Sequence, residues 1–278
     1  MKSSDELILS IDFGTQSVRS VLIDLEGNVL QLAKVEIEPY FSVAPGWAEQ
    51  YPEYFRDKMF ESLRKLFSET TYSKHLIKAV TLTSQRSTLI NLDSEGKSLR
   101  PAITWLDQRL SAVGKYPGKI MDLALRLIGM REAVHFAVKN GECNWIIQNQ
   151  PEIWEKTGKY LLLSGYLTWA LTGEYRDSVG CTVAYLPFDY KTQKWTSRKH
   201  MNFKMFPVDR EKLPDLVKPS EVLGTISREA SELSGIPAGL PVIAAAADKA
   251  SEVLGSGVIK PDVACLSYGT TATVQTTH

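Results

Sequence analysis

The stretch that most limits the fold is Leu7–Asp24, LILSIDFGTQSVRSVLID. An apolar run from Leu7 to Ile11 gives way to Asp12-Phe13-Gly14-Thr15-Gln16-Ser17, and a second apolar run, Val18 to Ile23, follows with one charge. The pattern is strand, tight polar turn, strand. Gly14 permits backbone angles that a side chain would block, and successive N–H groups in such a turn form a concave anion seat. Asp12, at the strand end, offers hard oxygen donors to a cation. A phosphate seat beside a cation site points to a nucleotide. An ordinary hairpin whose Asp merely caps the turn has the same pattern, so the stretch alone leaves both readings open.

The totals narrow the class. A chain of 278 residues, 44% hydrophobic and 23% charged, suits one large or two modest globular domains with a real core. Lys+Arg and Asp+Glu are both 32, which lacks the basic footprint of a nucleic-acid binder. Cys143, Cys181 and Cys265 lie far apart with no CxxC, so neither a disulfide framework nor a zinc site is expected, and a reducing compartment fits. The first residues, MKSSDEL, are polar and acidic, unlike a secretory signal, and no apolar run approaches membrane-spanning length. The expectation is a soluble cytoplasmic protein. Its oligomeric state is open, a homodimer included.

Taken in order, the chain reads as a mixed α/β fold. Val29–Ile37 makes a third meander strand. Glu53–Phe67 carries apolar residues at helical spacing. Ile77–Thr83 and Thr88–Leu92 read as strands interrupted by Ser84-Gln85-Arg86-Ser87. Residues 119–172 read as mostly helical, in pieces Ile120–Ile128, Asn144–Gln148, Glu152–Lys156 and Leu161–Leu171, with Tyr185–Pro219 irregular beyond them. Arg228–Ser234 is a short helix ended by Gly235; Leu240–Ala247 is a small-residue strand leading to Asp248 and a helix over Lys249–Leu254. A last strand, Val263–Ser267, enters a second turn, Tyr268-Gly269-Thr270-Thr271-Ala272. That turn echoes the first. The chain stops seven residues after Thr271, where the hairpin's second strand would form, as if the sequence were cut short.

Several familiar motifs are missing. No GxxxxGK[ST] is present, and Gly255-Ser256-Gly257 lacks the third glycine of a dinucleotide turn. Asp12-Phe13-Gly14 spells a protein-kinase signature, but no glycine-rich loop or strand lysine precedes it. His75, His135, His200 and His278 are scattered and take no catalytic role.

Five stretches, in order, resemble the FGGY carbohydrate kinases of the actin/Hsp70/sugar-kinase superfamily: Ile11–Ser17 (IDFGTQS), Gly46–Gln50 (GWAEQ), Gln85–Asp107 (QRSTLINLDSEGKSLRPAITWLD), Leu171-Thr172-Gly173, and Gly239–Thr271. The resemblance implies an α/β, RNase-H-like (actin-like ATPase) domain, its mixed sheet flanked by helices and carrying a helical insert. Residues 1–258 would be the N-terminal sugar-binding and catalytic domain, and 259–278 the start of a truncated C-terminal ATP-binding domain. It implies ATP and Mg²⁺ as cofactors, and a small sugar or polyol as partner rather than nucleic acid or membrane. By the same resemblance Asp12 helps hold Mg²⁺; Gly14, Thr15, Gln16 and Ser17 with Gly269, Thr270 and Thr271 face the ATP phosphates; Asp248 is the catalytic residue and touches substrate; Gln85, Arg86 and Trp105 line the sugar pocket.

The chemistry is consistent with those roles. Phosphoryl transfer needs a nucleophile in line, a metal and donors on the moving group, and Asp248 suits the acceptor's proton. Asp248 also stands where a helix N-cap would. Arg86 offers five donors to hydroxyls but also suits a surface ion pair, and Trp105 suits either a sugar's apolar face or a core. Ser87, where glycerol kinases carry a glutamate, disfavours ordinary glycerol kinase, and Lys249 replaces a common amide; the acceptor stays open. The competing class is a non-catalytic sugar- or partner-binding module derived from such a kinase. The 278 residues alone are expected to be weakly active or inactive.

Overall fold

The alternation of the opening stretch becomes strand β1 (Leu7–Phe13), in which Leu7, Leu9, Ile11 and Phe13 are buried and the residues between them half-covered. A computed structural model describes residues 6–113, 118–268 and 272–276. β2 (Ser17–Asp24) returns antiparallel to β1, and β3 (Val29–Glu36) pairs antiparallel with β2. After β4 (Glu49–Gln50), helix α1 (Pro52–Glu69) opens on a proline, tolerated there because the first N–H groups of a helix have no intrahelical partner. Phe55, Met59, Leu63 and Leu66 recur at helical spacing and join the β1 residues in one core.

β5 (Ile77–Ser84), β6 (Leu89–Leu92) and β7 (Ala102–Ile103) follow. The helical stretch resolves into α2 (Lys119–Leu127), α3 (Arg131–Asn140), α4 (Glu142–Asn149) and α5 (Pro151–Lys156). β8 (Lys159–Leu162) runs straight into α6 (Leu163–Thr172), which ends at Gly173 in the left-handed region, φ 79°. Then come β9 (Arg176–Ser178), β10 (Phe188–Asp189), β11 (Lys194–Trp195), α7 (Met201–Met205), β12 (Asp215–Val217) and β13 (Val222–Thr225). The described chain closes with α8 (Arg228–Ser234), β14 (Pro241–Ala244), α9 (Asp248–Gly255) and the hairpin of β15 (Ala264–Tyr268) and β16 (Ala272–Thr276).

One six-stranded sheet has the order β13-β14-β5-β1-β2-β3. β14, β5 and β1 are parallel neighbours and the other pairs are antiparallel, so the sheet is mixed. α1 and α6 pack against it and α8 packs on both helices. A four-stranded antiparallel sheet, β4-β7-β6-β8, backs a second core in which Leu89, Ile103, Tyr160 and Leu162 meet Val134, Val138 and Ile146 of the helical insert.

Four local expectations change. The run Leu161–Leu171 is not one helix: Lys159–Leu162 is a strand paired with β6, because an apolar segment there completes the second sheet. Tyr185–Pro219 is not wholly irregular; it holds β10, β11, α7 and β12. The strand before Asp248 stops at Ala244, and Ala247 is the helix N-cap, so Asp248 is the first helical residue rather than the cap. The second strand of the last hairpin does form, since five residues suffice to pair β16 with β15. Among the described residues no helix is long and apolar enough to cross a membrane.

Candidate active site

The ends of three parallel strands bring the site together. β1 ends at Phe13, β5 at Ser84 and β14 at Ala244, and ligands of open α/β sheets gather at such carboxyl ends. The Gln85 N–H donates to the Phe13 carbonyl at 2.9 Å, so the chain leaving β5 is tied to the end of β1. Trp105 Nε1 then donates to both Thr15 Oγ1 and Gln85 Oε1, each at 3.1 Å, which pins the indole across the mouth of the first turn. Within that turn the Gly14 N–H donates to the Ser17 carbonyl at 3.0 Å. Ser17 is closed to solvent, whereas Gln16 is exposed.

A cavity of about 370 Å³ opens here, within the usual size of a small-molecule site. Thr15, Gln85, Arg86, Trp105 and Asp248 all line it. The remaining predicted positions fall around it or beyond description. Asp12 pairs with Arg19 at 2.7 Å, and its charge acts on Asp248. Gly269, Thr270 and Thr271 lie outside the described residues.

Asp248 is mounted by its neighbours rather than by a cap. Ser178 Oγ donates to the Ala245 carbonyl, Thr83 Oγ1 to the Ala246 carbonyl at 2.8 Å, and the Ala247 N–H to the Gly180 carbonyl at 3.1 Å. These bonds fix the three alanines that deliver the carboxylate. Its Oδ1 accepts from the Lys249 N–H at 2.8 Å and stands 3.8 Å from Arg86 Nε. Burial pushes the Asp248 carboxyl above its ordinary value; the Lys249 N–H and the Arg86 and Lys249 charges oppose this, and the Asp12 charge adds to it. Lys249 is not free: Nζ donates to Glu252 Oε2 at 2.9 Å and to Ser267 Oγ at 2.6 Å, reaching the last hairpin. Ser87 holds φ 52°, unusual for a residue with a side chain, while its Oγ donates to the Val183 carbonyl at 2.9 Å.

Three lining residues carried no signal in the sequence, Arg109, Glu142 and Tyr185, and Asp107 entered only as the last residue of the Gln85–Asp107 stretch, with no role given to it. Arg109 is stacked on Trp47, its guanidinium carbon 3.9 Å from the ring centre, and is gripped by Asp107 at 2.6 Å and Glu49 at 2.9 Å. Glu49 also pairs with the buried Arg100. Glu142 heads α4, and burial raises its carboxyl to about 8. Two opposite charges two residues apart are ordinarily solvated; only the tertiary structure, which sets Trp47 and Trp145 against the Arg109 guanidinium, shows that this pair is closed in.

Asp12, paired with Arg19, and Asp248, on which its charge acts, carry hard oxygen donors of the kind Mg²⁺ prefers. Among the described residues no group of three or more His, Cys, Asp or Glu side chains could hold a metal. Mg²⁺ usually takes one or two carboxylates and completes its shell with water and substrate phosphates.

Solved structures share this architecture. A xylulose kinase from Rhodospirillum rubrum superposes with a TM-score of 0.80 at 23% identity, over 97% of this chain and 54% of that one. The fold is therefore that of the actin-like ATPases. In sequence, the chain is 28% identical to a xylulose kinase of Lactococcus lactis subsp. lactis over 96% of this chain and 52% of that protein. It is 27% identical to a glycerol kinase of Thermococcus onnurineus, over 96% and 53%. Residues 7–255 match the N-terminal domain of the FGGY family of carbohydrate kinases, and the chain belongs to that family. It spans about half the length of the curated relatives it matches.

Proposed function

We propose that this chain is the acceptor-binding half of an ATP-dependent kinase that phosphorylates a hydroxyl of a sugar or polyol, with Asp248 as the catalytic base. The observation that carries this reading is the convergence of Asp248, Arg86, Gln85 and Trp105 on one cavity at the carboxyl ends of β1, β5 and β14. A hydroxyl beside Asp248 finds an acceptor for its proton, and Arg86 donates to a neighbouring oxygen. The half-buried Trp105, anchored through Nε1, keeps its ring face for the C–H side of the sugar. Gly14, Thr15, Gln16 and Ser17 are the turn proposed to meet the nucleotide's phosphates, with Thr15 and Gln16 on its accessible side, and Gly269, Thr270 and Thr271 are proposed for the same role. Asp12 is the residue for the Mg²⁺ that would neutralise charge on the transferring group. On this reading residues 1–258 are the acceptor domain and 259–278 the start of the ATP domain. The relatives named xylulose and glycerol kinases support a polyhydroxylated acceptor.

The test is coupled ADP release by the intact protein over pentuloses, hexoses, polyols and sugar acids, with cytoplasmic extracts checked for the protein by fractionation. Loss of general-base help predicts a fall in kcat of about 100-fold or more in Asp248→Asn. Sugar-independent ADP release, or an Asp248→Asn variant as fast as the parent, overturns the reading.

A further inference from the structure

Glu142 and Arg109 come from different segments, α4 and the loop after β7, and line the same cavity as Asp248. Each has a solvent-closed polar atom without a partner among the described residues: Glu142 Oε2 and Arg109 Nη1. The other Arg109 nitrogens are committed, Nε to Asp107 Oδ1 at 2.7 Å and Nη2 to Asp107 Oδ2 at 2.6 Å. Unpartnered groups at such depth are costly and call for a ligand or an explanation. A hydroxyl both accepts and donates, and so can answer a guanidinium N–H and a carboxyl group together.

We propose that Glu142, with Arg109, reads a second hydroxyl of the acceptor, distinct from the one Asp248 serves, and thereby selects neutral ketoses and polyols over acceptors that end in a carboxylate or phosphate. The inference rests on the reading of this cavity as the acceptor site. Charge decides the selectivity. Arg109 is already answered by Asp107 and Glu49, so its charge is not free for an anion. The groups facing Glu142 are Asp107 and Arg109 from the loop after β7, Tyr185 from the segment before β10, Cys143 on its own helix and Tyr160 on β8. Burial is the main reason its carboxyl rises to about 8; Asp107 adds to the rise and Arg109 opposes it. Near neutral pH the group is therefore an uncharged acid that donates one hydrogen bond and accepts another. On ionising it keeps only the acceptor role and repels an anionic substrate further.

The experiment is calorimetric titration of the intact protein with D-xylulose, xylitol, glycerol and D-gluconate, for the parent, Glu142→Gln, Glu142→Ala and Arg86→Met, at pH 7 and 9. The parent should bind a neutral probe at least about tenfold more tightly than D-gluconate, and lose about tenfold in affinity between pH 7 and 9 as Glu142 ionises. Glu142→Ala should lose about tenfold or more at pH 7. Glu142→Gln, which keeps a neutral donor and acceptor, should lose less than Glu142→Ala and abolish the pH dependence. Binding of all four probes too weak to detect overturns the acceptor-site reading and this inference with it. Binding that Arg86→Met weakens but Glu142→Ala leaves unchanged, a Glu142→Gln variant with the parent's pH dependence, or D-gluconate as the tightest ligand overturns the role of Glu142 alone.

Discussion

Gly180→Ala tests how Asp248 is held, because the methyl group it adds is aimed at the segment carrying that residue. A Cβ on Gly180 would lie 3.0 Å from Ala246 Cβ, 3.1 Å from Ala246 Cα and 3.1 Å from the Ala245 carbonyl oxygen. Gly180 has no left-handed backbone angle, so the effect is steric rather than conformational. The neighbours cannot easily give way: Ala245 is held by Ser178 Oγ, Ala246 by Thr83 Oγ1 at 2.8 Å, and Ala247 by Gly180 itself. Overpacking at so restrained a contact costs about 1–3 kcal/mol. At about 2–4 °C per kcal/mol for a domain of this size, the melting temperature should fall by about 2–12 °C. The displaced backbone also shifts Asp248 by a few tenths of an ångström, so the acceptor's kcat should fall more than its KM changes. Scanning calorimetry and steady-state kinetics on the same preparation separate the two effects. A variant melting within about 1 °C of the parent and equally active would show that the Ser178–Gly180 turn is not the mount of the carboxylate.

Other outcomes follow from the same geometry. The buried Asp177, which accepts from Ser164 Oγ at 2.8 Å, has its carboxyl raised to about 7 by burial. Its folded form holds the proton more tightly than the unfolded chain does, so its contribution is complete below about pH 4 and is lost as pH rises through 7. Between pH 5 and 8, urea denaturation should therefore show the parent losing about 2–3 kcal/mol more than Asp177→Asn; parallel pH profiles would refute this. Glu49→Ala strips the buried Arg100 of its partner and should cost about 3–5 kcal/mol in the same assay, with a cost under about 1 kcal/mol counting against a buried ion network. Trp105→Phe keeps an aromatic face but removes the donor shared by Thr15 and Gln85, and should weaken acceptor binding by about 5- to 10-fold, read by calorimetry. Unchanged affinity would place the indole outside the binding surface.

The parts of the fold that the sequence announces are those governed by local pattern. β1 and β2 alternate as a half-buried hairpin should, α1 repeats its apolar residues every three to four positions, and Gly235 ends α8 in the left-handed region, φ 81°. The division of Lys159–Leu171 into strand and helix was not legible, because a continuous apolar run has no period to betray the change. Thr15, Gln85, Arg86, Trp105 and Asp248 were recognisable through ordered motifs, and they do share one cavity. Glu142 was not: an acidic residue in the first turn of a helix is ordinarily solvated, and only the packing around α4 leaves it half-buried with one carboxylate oxygen closed to solvent. Tyr185 was equally hidden, lying in a segment without periodicity.

β14, β5 and β1 are hydrogen-bonded neighbours, so their ends are spaced by the sheet itself, at about 4.8 Å per strand. Asp12, Gln85 and the alanines leading to Asp248 inherit that spacing, while Glu142 and Tyr185 come from segments that the sheet does not restrain. On the kinase reading proposed above, substitutions in the helical insert would reshape one wall of the cavity while the strand ends that carry Asp248 keep their spacing.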